Sequence, residues 1–382
     1  MNHILVKPHS YHTLDAWRGV ASLWVVMFHM SQVIVASYPQ LSANPIYIFS
    51  LSGSLGVQMF FVISGYCIAN AVSKAHSREQ RFTAFMRARI KRIFPPYLYA
   101  LGLSGSLSVV ASLLVVSHHL KSSVLADHSI LHQSSIYYLT NLTLTQGIFH
   151  QSFLLPQAWT LCYEVAFYLA VGLFLATAYA FQGKIVVLYI SHTVTCTLLV
   201  LLIAISQYVK YPFDLWPQFG LGILAYDLLS HPKSLKPKIW LIIAGALVVI
   251  FAALHRDNIG MMGEPSRPSY LFCLFFTVVI VLLHKYDEKM HKIIPIQLLS
   301  LIGILSYSLY LTHTFSIGVI NQASKLLHLS VNLHPLLFIL VIALSLGFAC
   351  LFFRFCERPY VRSLKRPADL PQPLGTITFN DR

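Results

Sequence analysis

Apolar residues in this chain come in long runs, and polar residues gather in the short stretches between them. Roughly ten runs are long enough to cross about 30 Å of hydrocarbon. They fall at about 19–36, 54–73, 95–117, 158–180, 185–206, 213–229, 239–254, 269–284, 296–320 and 333–355, with 213–229 the weakest. A lipid-spanning segment must satisfy its own backbone hydrogen bonds, so runs of this length read as helices. The pattern predicts an all-α polytopic membrane protein, a bundle of about ten transmembrane helices. The first run breaks its own pattern. Asp15, Arg18, Ser22 and His29 form a polar line on one helical stripe, and Arg18 and His29 stand about three turns, or roughly 16 Å, apart. Ionisable groups at membrane depth are costly and by default point to a functional site.

Composition agrees with the pattern. Of the 382 residues 56% are hydrophobic and 10% charged, where a soluble domain carries about 25% charged residues. The net charge of +14 would suit nucleic acid, but the basic residues cluster in short loops rather than on a binding face, so no nucleic-acid partner is expected. With ten spans and the N-terminus inside, all of the 27 Lys and Arg except Lys121, Lys210, Arg256, Arg267 and Lys325 fall on one side. That asymmetry places both termini in the cytoplasm and makes the lipid bilayer the partner that explains the charge.

Residues 1–366 read as one transmembrane domain, and the Pro-rich tail 367–382 as a disordered cytoplasmic segment. The first run is too long for a cleaved signal peptide and reads as a retained helix. Cys67, Cys162, Cys196, Cys273, Cys350 and Cys356 lie in or beside apolar runs without CxxC spacing and read as small buried residues. The outer stretch 118–157 holds His118, His119, His128, His132 and His150. No acidic or Cys ligands accompany them, so a polar loop is expected and no metal site.

Six places carry candidate chemistry. His29 has an imidazole able to take a proton from a hydroxyl near neutral pH; a structural histidine between helices is the competing reading. Arg18 either snorkels to headgroups or binds an anion entering from inside. Arg87, Arg89, Lys91 and Arg92 precede Pro95–Pro96; on a helix Arg89 and Arg92 share a face and suit phosphate, against a cluster that only sets topology. Glu164 opens the 158–180 run from the outer side, with Tyr168 one turn further on, and needs a partner or a wet cavity. Ser306, Tyr310 and His313 form a polar stripe facing the bundle interior. Glu357–Arg358–Pro359 reads as an interfacial anchor.

Five blocks then appear in order over nearly the whole chain. Leu14–Asp15–Ala16–Trp17–Arg18–Gly19–Val20–Ala21 with Phe28–His29, Phe60 to Tyr66, Arg89–Ile90–Lys91–Arg92 (an RxxR), Trp159 to Tyr168, and Ser306 to His313 together resemble the acyltransferase 3 family of integral membrane acyltransferases. The resemblance implies transfer of an acyl group, usually acetyl from cytoplasmic acyl-CoA, to a hydroxyl of a cell-surface or periplasmic carbohydrate, in a bacterial inner membrane. It implies His29 as base or transient acyl carrier, and Arg18, Arg89 and Arg92 on the coenzyme phosphates. Glu164 would place or activate the acceptor, with Trp159, Tyr168, Ser306, Tyr310 and His313 as substrate contacts. Acetyl-CoA would be a co-substrate, with no tightly bound cofactor. Thr312, where an aromatic residue is common, and Thr314–Phe315 depart from the family and bear on acceptor contacts. Some family members add a C-terminal hydrolase-like domain; here the membrane unit suffices or a separate periplasmic transferase completes the reaction. A transporter or flippase for a glycan precursor is the main rival. It would call for several embedded carboxylates, where the spans hold essentially Glu164, with Asp214 and Asp227 near span ends.

Overall fold

A computed structural model describes residues 11–77, 82–116, 133–180, 211–212, 214–230, 267–327 and 333–362. Among them every regular element is helical. Five helices are long and apolar enough to cross a membrane: Leu14–Ser37, Pro45–Ser73, Thr83–Val110, Ser269–Met290 and Pro335–Val361. The runs expected at 158–180 and 213–229 are helices over Trp159–Ala180 and Trp216–Ser230. Those expected at 185–206 and 239–254 lie outside the described residues, as do the tail and residues 118–132 of the histidine-rich stretch.

Polar and apolar groups are distributed as lipid demands. Leu173, Phe275, Leu282, Ile339 and Phe355 are each about 60% exposed or more, whereas Ser31, Gln218, Ser308, Thr312, His313 and Ser345 are fully buried. Water cannot solvate such an apolar outside, while lipid can, so this surface belongs in a bilayer.

We label the helices that position the site α1 (Leu14–Ser37), α2 (Leu55–Ser77), α3 (Phe82–Val116), α4 (Trp159–Ala180), α5 (Trp216–Ser230), α6 (Ile294–Ile304) and α7 (Ser306–Leu326). Without a hydrophobic drive between helices in lipid, close backbone approach through small residues holds them together. Gly65 of α2 lies against the Phe219 backbone of α5, and Gly222 of α5 against the Val62 carbonyl of α2. Gly19 of α1 meets the Leu299 carbonyl of α6, and Gly303 of α6 meets the Asp15 carbonyl of α1.

That second contact accompanies a departure from expectation. The run 296–320 reads as one continuous span, but the chain breaks at Leu305 and turns by 75° between α6 and α7. Hydropathy registers only that the residues are apolar, and both arms are. The break presses α6 across α1 and starts α7 at Ser306, so that Ser306 and Tyr307 open a new helix instead of continuing an old one.

The start of α1 is also set from far away. Its N-cap residue Thr13 makes no capping bond with its own side chain. Instead buried Asp287 accepts from His12 N at 2.7 Å, Thr13 N at 2.9 Å and Thr13 Oγ1 at 2.7 Å. A carboxylate there satisfies backbone donors a helix start leaves open and favours its positive end. Asp287→Ala is expected to lower stability by about 1–3 kcal/mol, read as earlier thermal unfolding in detergent and faster proteolysis near residue 12. An unchanged melting profile would remove Asp287 from this role.

Candidate active site

The site lies between α1, α2, α3, α4 and α7, and its two ends differ in chemistry. At one end stand the arginines. Pro95 and Pro96 sit inside α3; having no N–H, they cannot donate to the carbonyls of Lys91 and Arg92. The helix nevertheless runs on, so Arg89 and Arg92 share a face as their spacing predicts. The Arg89 guanidinium lies 5.4 Å from the ring centres of both Phe85 and Tyr168, a cation–π seat. Arg18 of α1 donates from one nitrogen to Asp15 Oδ1 at 2.8 Å and from another to Cys67 Sγ at 3.1 Å.

Arg18 and Arg92 line a cavity of about 80 Å³ together with Ser64, Glu164, Ser306, Tyr307 and Tyr310, walled by Phe60 and Phe61. That is room for several water molecules. Among the described residues Glu164 is anchored through one oxygen: Ser64 Oγ donates to Oε1 at 2.7 Å, and Tyr168 Oη donates to the same atom. Tyr307 Oη donates to the Ile93 carbonyl at 2.8 Å and pins α7 to α3 beside the arginines. The cavity therefore brings cationic nitrogens, a carboxylate and hydroxyls to one place in an apolar surround.

Tyr310 forms the inner wall. Its hydroxyl pairs with Thr160 Oγ1 at 2.7 Å and donates to the Gln157 carbonyl at 2.9 Å. The Gln157 amide in turn donates to the Leu311 carbonyl at 2.8 Å and to Thr314 Oγ1 at 3.2 Å. These bonds tie the start of α4 to α7.

Beyond Tyr310 lie the histidines. The His313 ring is 5.9 Å from the Tyr310 ring and 5.1 Å from that of His29. His29 Nδ1 lies 3.1 Å from Gln32 Oε1. Arg18 and His29 thus head the two ends of one interior path, and the polar residues of α7 join them. Ser22, which shares their stripe, is absorbed by its own helix through a bond to the Gly19 carbonyl at 3.0 Å.

Ten residues carried expectations from sequence. Arg18, Arg92, Glu164, Ser306 and Tyr310 meet in one cavity, and Tyr168 and Arg89 pack directly behind Glu164. His29 and His313 meet each other further along. Trp159 packs at right angles on Tyr163, 6.0 Å between rings, and near Phe61; it does not line the cavity. Glu164 sits with the arginines, although its place near the outer start of its run suggested the acceptor side. A side chain one to two turns into α4 points across to Ser64 of α2, and sequence position alone does not give that direction.

Sequence reading also missed residues. Ser64 lies inside a recognised block and Gln157 two residues before one, but neither carried an expectation of its own. Glu357 is not an interfacial anchor: it is 5% exposed and accepts from Ser308 Oγ at 2.6 Å. A π-helical turn over Phe353–Glu357 aims it inward, and π turns of this kind are frequent near functional sites. The Arg358–Pro359 sequence gave no sign of that turn.

Comparison with known proteins places these features in context. The acyltransferase domain family matches residues 11–354. O-acetyltransferase OatA of Staphylococcus aureus strain NCTC 8325 / PS 47 is 24% identical over 394 residues, covering 97% of this chain and 60% of its own length. OatA of strain COL gives the same identity and coverage. The chain thus spans about 60% of the length of these curated relatives. No solved structure matches.

Proposed function

The chain belongs to the acyltransferase domain family, and on that premise we propose that this membrane O-acyltransferase moves an acetyl group from cytoplasmic acyl-CoA to a hydroxyl of a cell-surface or periplasmic carbohydrate. The observation that carries this reading is the cavity where Arg18 and Arg92 face Glu164, linked through Tyr310 and His313 to His29. Arginines suit the phosphates of a donor that cannot cross lipid. Ten spans with both termini in the cytoplasm open the arginine end to the compartment that holds the coenzyme. His29 then stands toward the compartment of the carbohydrate.

In this reading Arg18, Arg89 and Arg92 hold the coenzyme, and Glu164 takes a hydrogen bond from the bound donor through its unanchored oxygen. His29 removes the proton of the acceptor hydroxyl as its oxygen attacks the thioester carbonyl. Tyr310, Ser306, Tyr168 and Trp159 shape the passage between the two. The enzyme holds no cofactor of its own, because the activated acyl group arrives with the co-substrate.

The test uses membranes carrying the full chain and radiolabelled acetyl-CoA. Label is expected in membrane-associated carbohydrate, alkali-labile as an ester is. Label that never leaves the coenzyme while glycan precursor crosses the membrane would support a transporter instead. In the same assay Arg92→Gln is expected to raise KM for acetyl-CoA by about 10- to 100-fold, since a hydrogen bond to a charged group contributes about 1.5–3 kcal/mol. An unaltered KM would take Arg92 away from the donor.

A further inference from the structure

The transfer reading makes His29 the base but gives its neighbour His313 no part in moving the proton. His313 Nδ1 lies 2.8 Å from the Tyr310 carbonyl and 3.2 Å from that of Leu309. Carbonyl oxygens only accept, so Nδ1 carries the proton and Nε2 of the neutral ring is a bare lone pair. The side chain is fully buried, and Nε2 has no partner among the described residues. A buried acceptor with no donor is a standing cost, and it asks for an explanation.

His29 repeats the pattern. Its Nδ1 faces Gln32 Oε1, an acceptor, so its own Nε2 is the basic nitrogen. The rings stand 5.1 Å apart with their planes tilted by 32°. That separation brings a nitrogen-to-nitrogen hydrogen bond of roughly 2.9 Å within reach of the two rings. Two neutral rings that each present a bare Nε2 cannot make it, and one added proton supplies the missing donor.

We propose that His313 is the positioning partner of His29, the two imidazoles forming a dyad that shares the proton taken from the acceptor hydroxyl. The proposal rests on the transfer reading above. When the acceptor oxygen attacks, the new O–C bond forms, the C–S bond of the thioester breaks, and the hydroxyl proton moves to His29 Nε2. His29 then donates to His313 Nε2, which spreads the positive charge over two rings in an apolar place. The leaving thiolate takes the proton back, and both imidazoles return to neutral. Gln32, Phe28 and Tyr310 lie against the pair, and no charged side chain among the described residues hydrogen-bonds to either ring.

Two measurements on the full chain test the dyad. In the labelled acetyl-CoA assay, His313→Ala is expected to slow transfer by at least about tenfold at unchanged KM for acetyl-CoA. In a His29→Ala background the same substitution is expected to change nothing further, because residues that act as a unit are not additive. His313→Gln, run beside it, keeps a polar side chain if alanine fails to fold. A cost that adds in full to that of His29→Ala, or no cost in either background, overturns the proposal. The second measurement needs no transfer. Diethyl pyrocarbonate attacks neutral ring nitrogens, and two rings with centres 5.1 Å apart leave room for one adduct. Mass spectrometry of the purified protein is expected to find His29 or His313 modified, never both on one molecule. Double modification at the statistical frequency, or none at either, overturns the dyad. If the parent moves no label at all, the transfer reading falls, and the adduct count still decides whether the histidines form a pair.

Discussion

Replacing His29 by alanine is expected to lower the rate of acyl transfer by about 10²- to 10⁴-fold, the usual contribution of a positioned general base. An acceptor hydroxyl is a weak nucleophile, and among the described residues the only other imidazole against His29 is His313, which acts through it. The loss is expected in kcat. Arg18 stands about three helical turns away, or roughly 16 Å, and His29 does not line the arginine cavity, so KM for acetyl-CoA should hold within about twofold, far less than the rate effect. Initial rates of label transfer at several acetyl-CoA concentrations separate the two. A folded His29→Ala protein that transfers label as fast as the parent would falsify the assignment.

Gly303→Val is expected to cost the fold itself. A Cβ at this position meets the Asp15 backbone of the facing helix, and backbone cannot rotate out of the way as a side chain does. Overpacking of a tight contact costs about 1–3 kcal/mol, and backbone against backbone belongs at the top of that range or above it. The damage would reach the site at once, since the contact holds Asp15, the partner of Arg18, and the bend that starts α7 at Ser306. Loss of a monodisperse peak in size exclusion is the expected readout. Gly318→Val is the matched control, because nothing lies within 4 Å of a Cβ there. Normal elution of the Gly303 variant would mean that α1 and α6 part without harm.

Much of the site was legible because its residues violate the rule of the medium. A charged or titratable side chain among lipid-facing neighbours stands out in a sequence, and Arg18, His29, Glu164 and His313 were found that way. Arg89 and Arg92 were legible through helical spacing, which the structure keeps even across Pro95 and Pro96. What failed were directions and breaks. Glu164 enters its run from the outer end, and that position does not give its hydrogen bonds to Ser64 and Tyr168 beside the cavity it shares with Arg18 and Arg92. Glu357 was read as an anchor because it sits at the end of the last run, yet a π turn rotates it onto Ser308. The 296–320 run was read as straight because neither arm of a bent helix looks less apolar than a straight one.

The division follows from range. Hydrophobic run length, charge asymmetry and polar exceptions are local, and the helical class, the membrane setting and most of the candidate site residues rest on them. Contacts between residues far apart in the chain decided the rest. Gly303 against Asp15 bends one span across another, Asp287 caps a helix more than 270 residues upstream, and the His29–His313 pair joins α1 to α7. Each depends on which helix faces which, and in lipid that is settled by close packing of small residues and by polar groups seeking partners, neither of which leaves a period in the sequence.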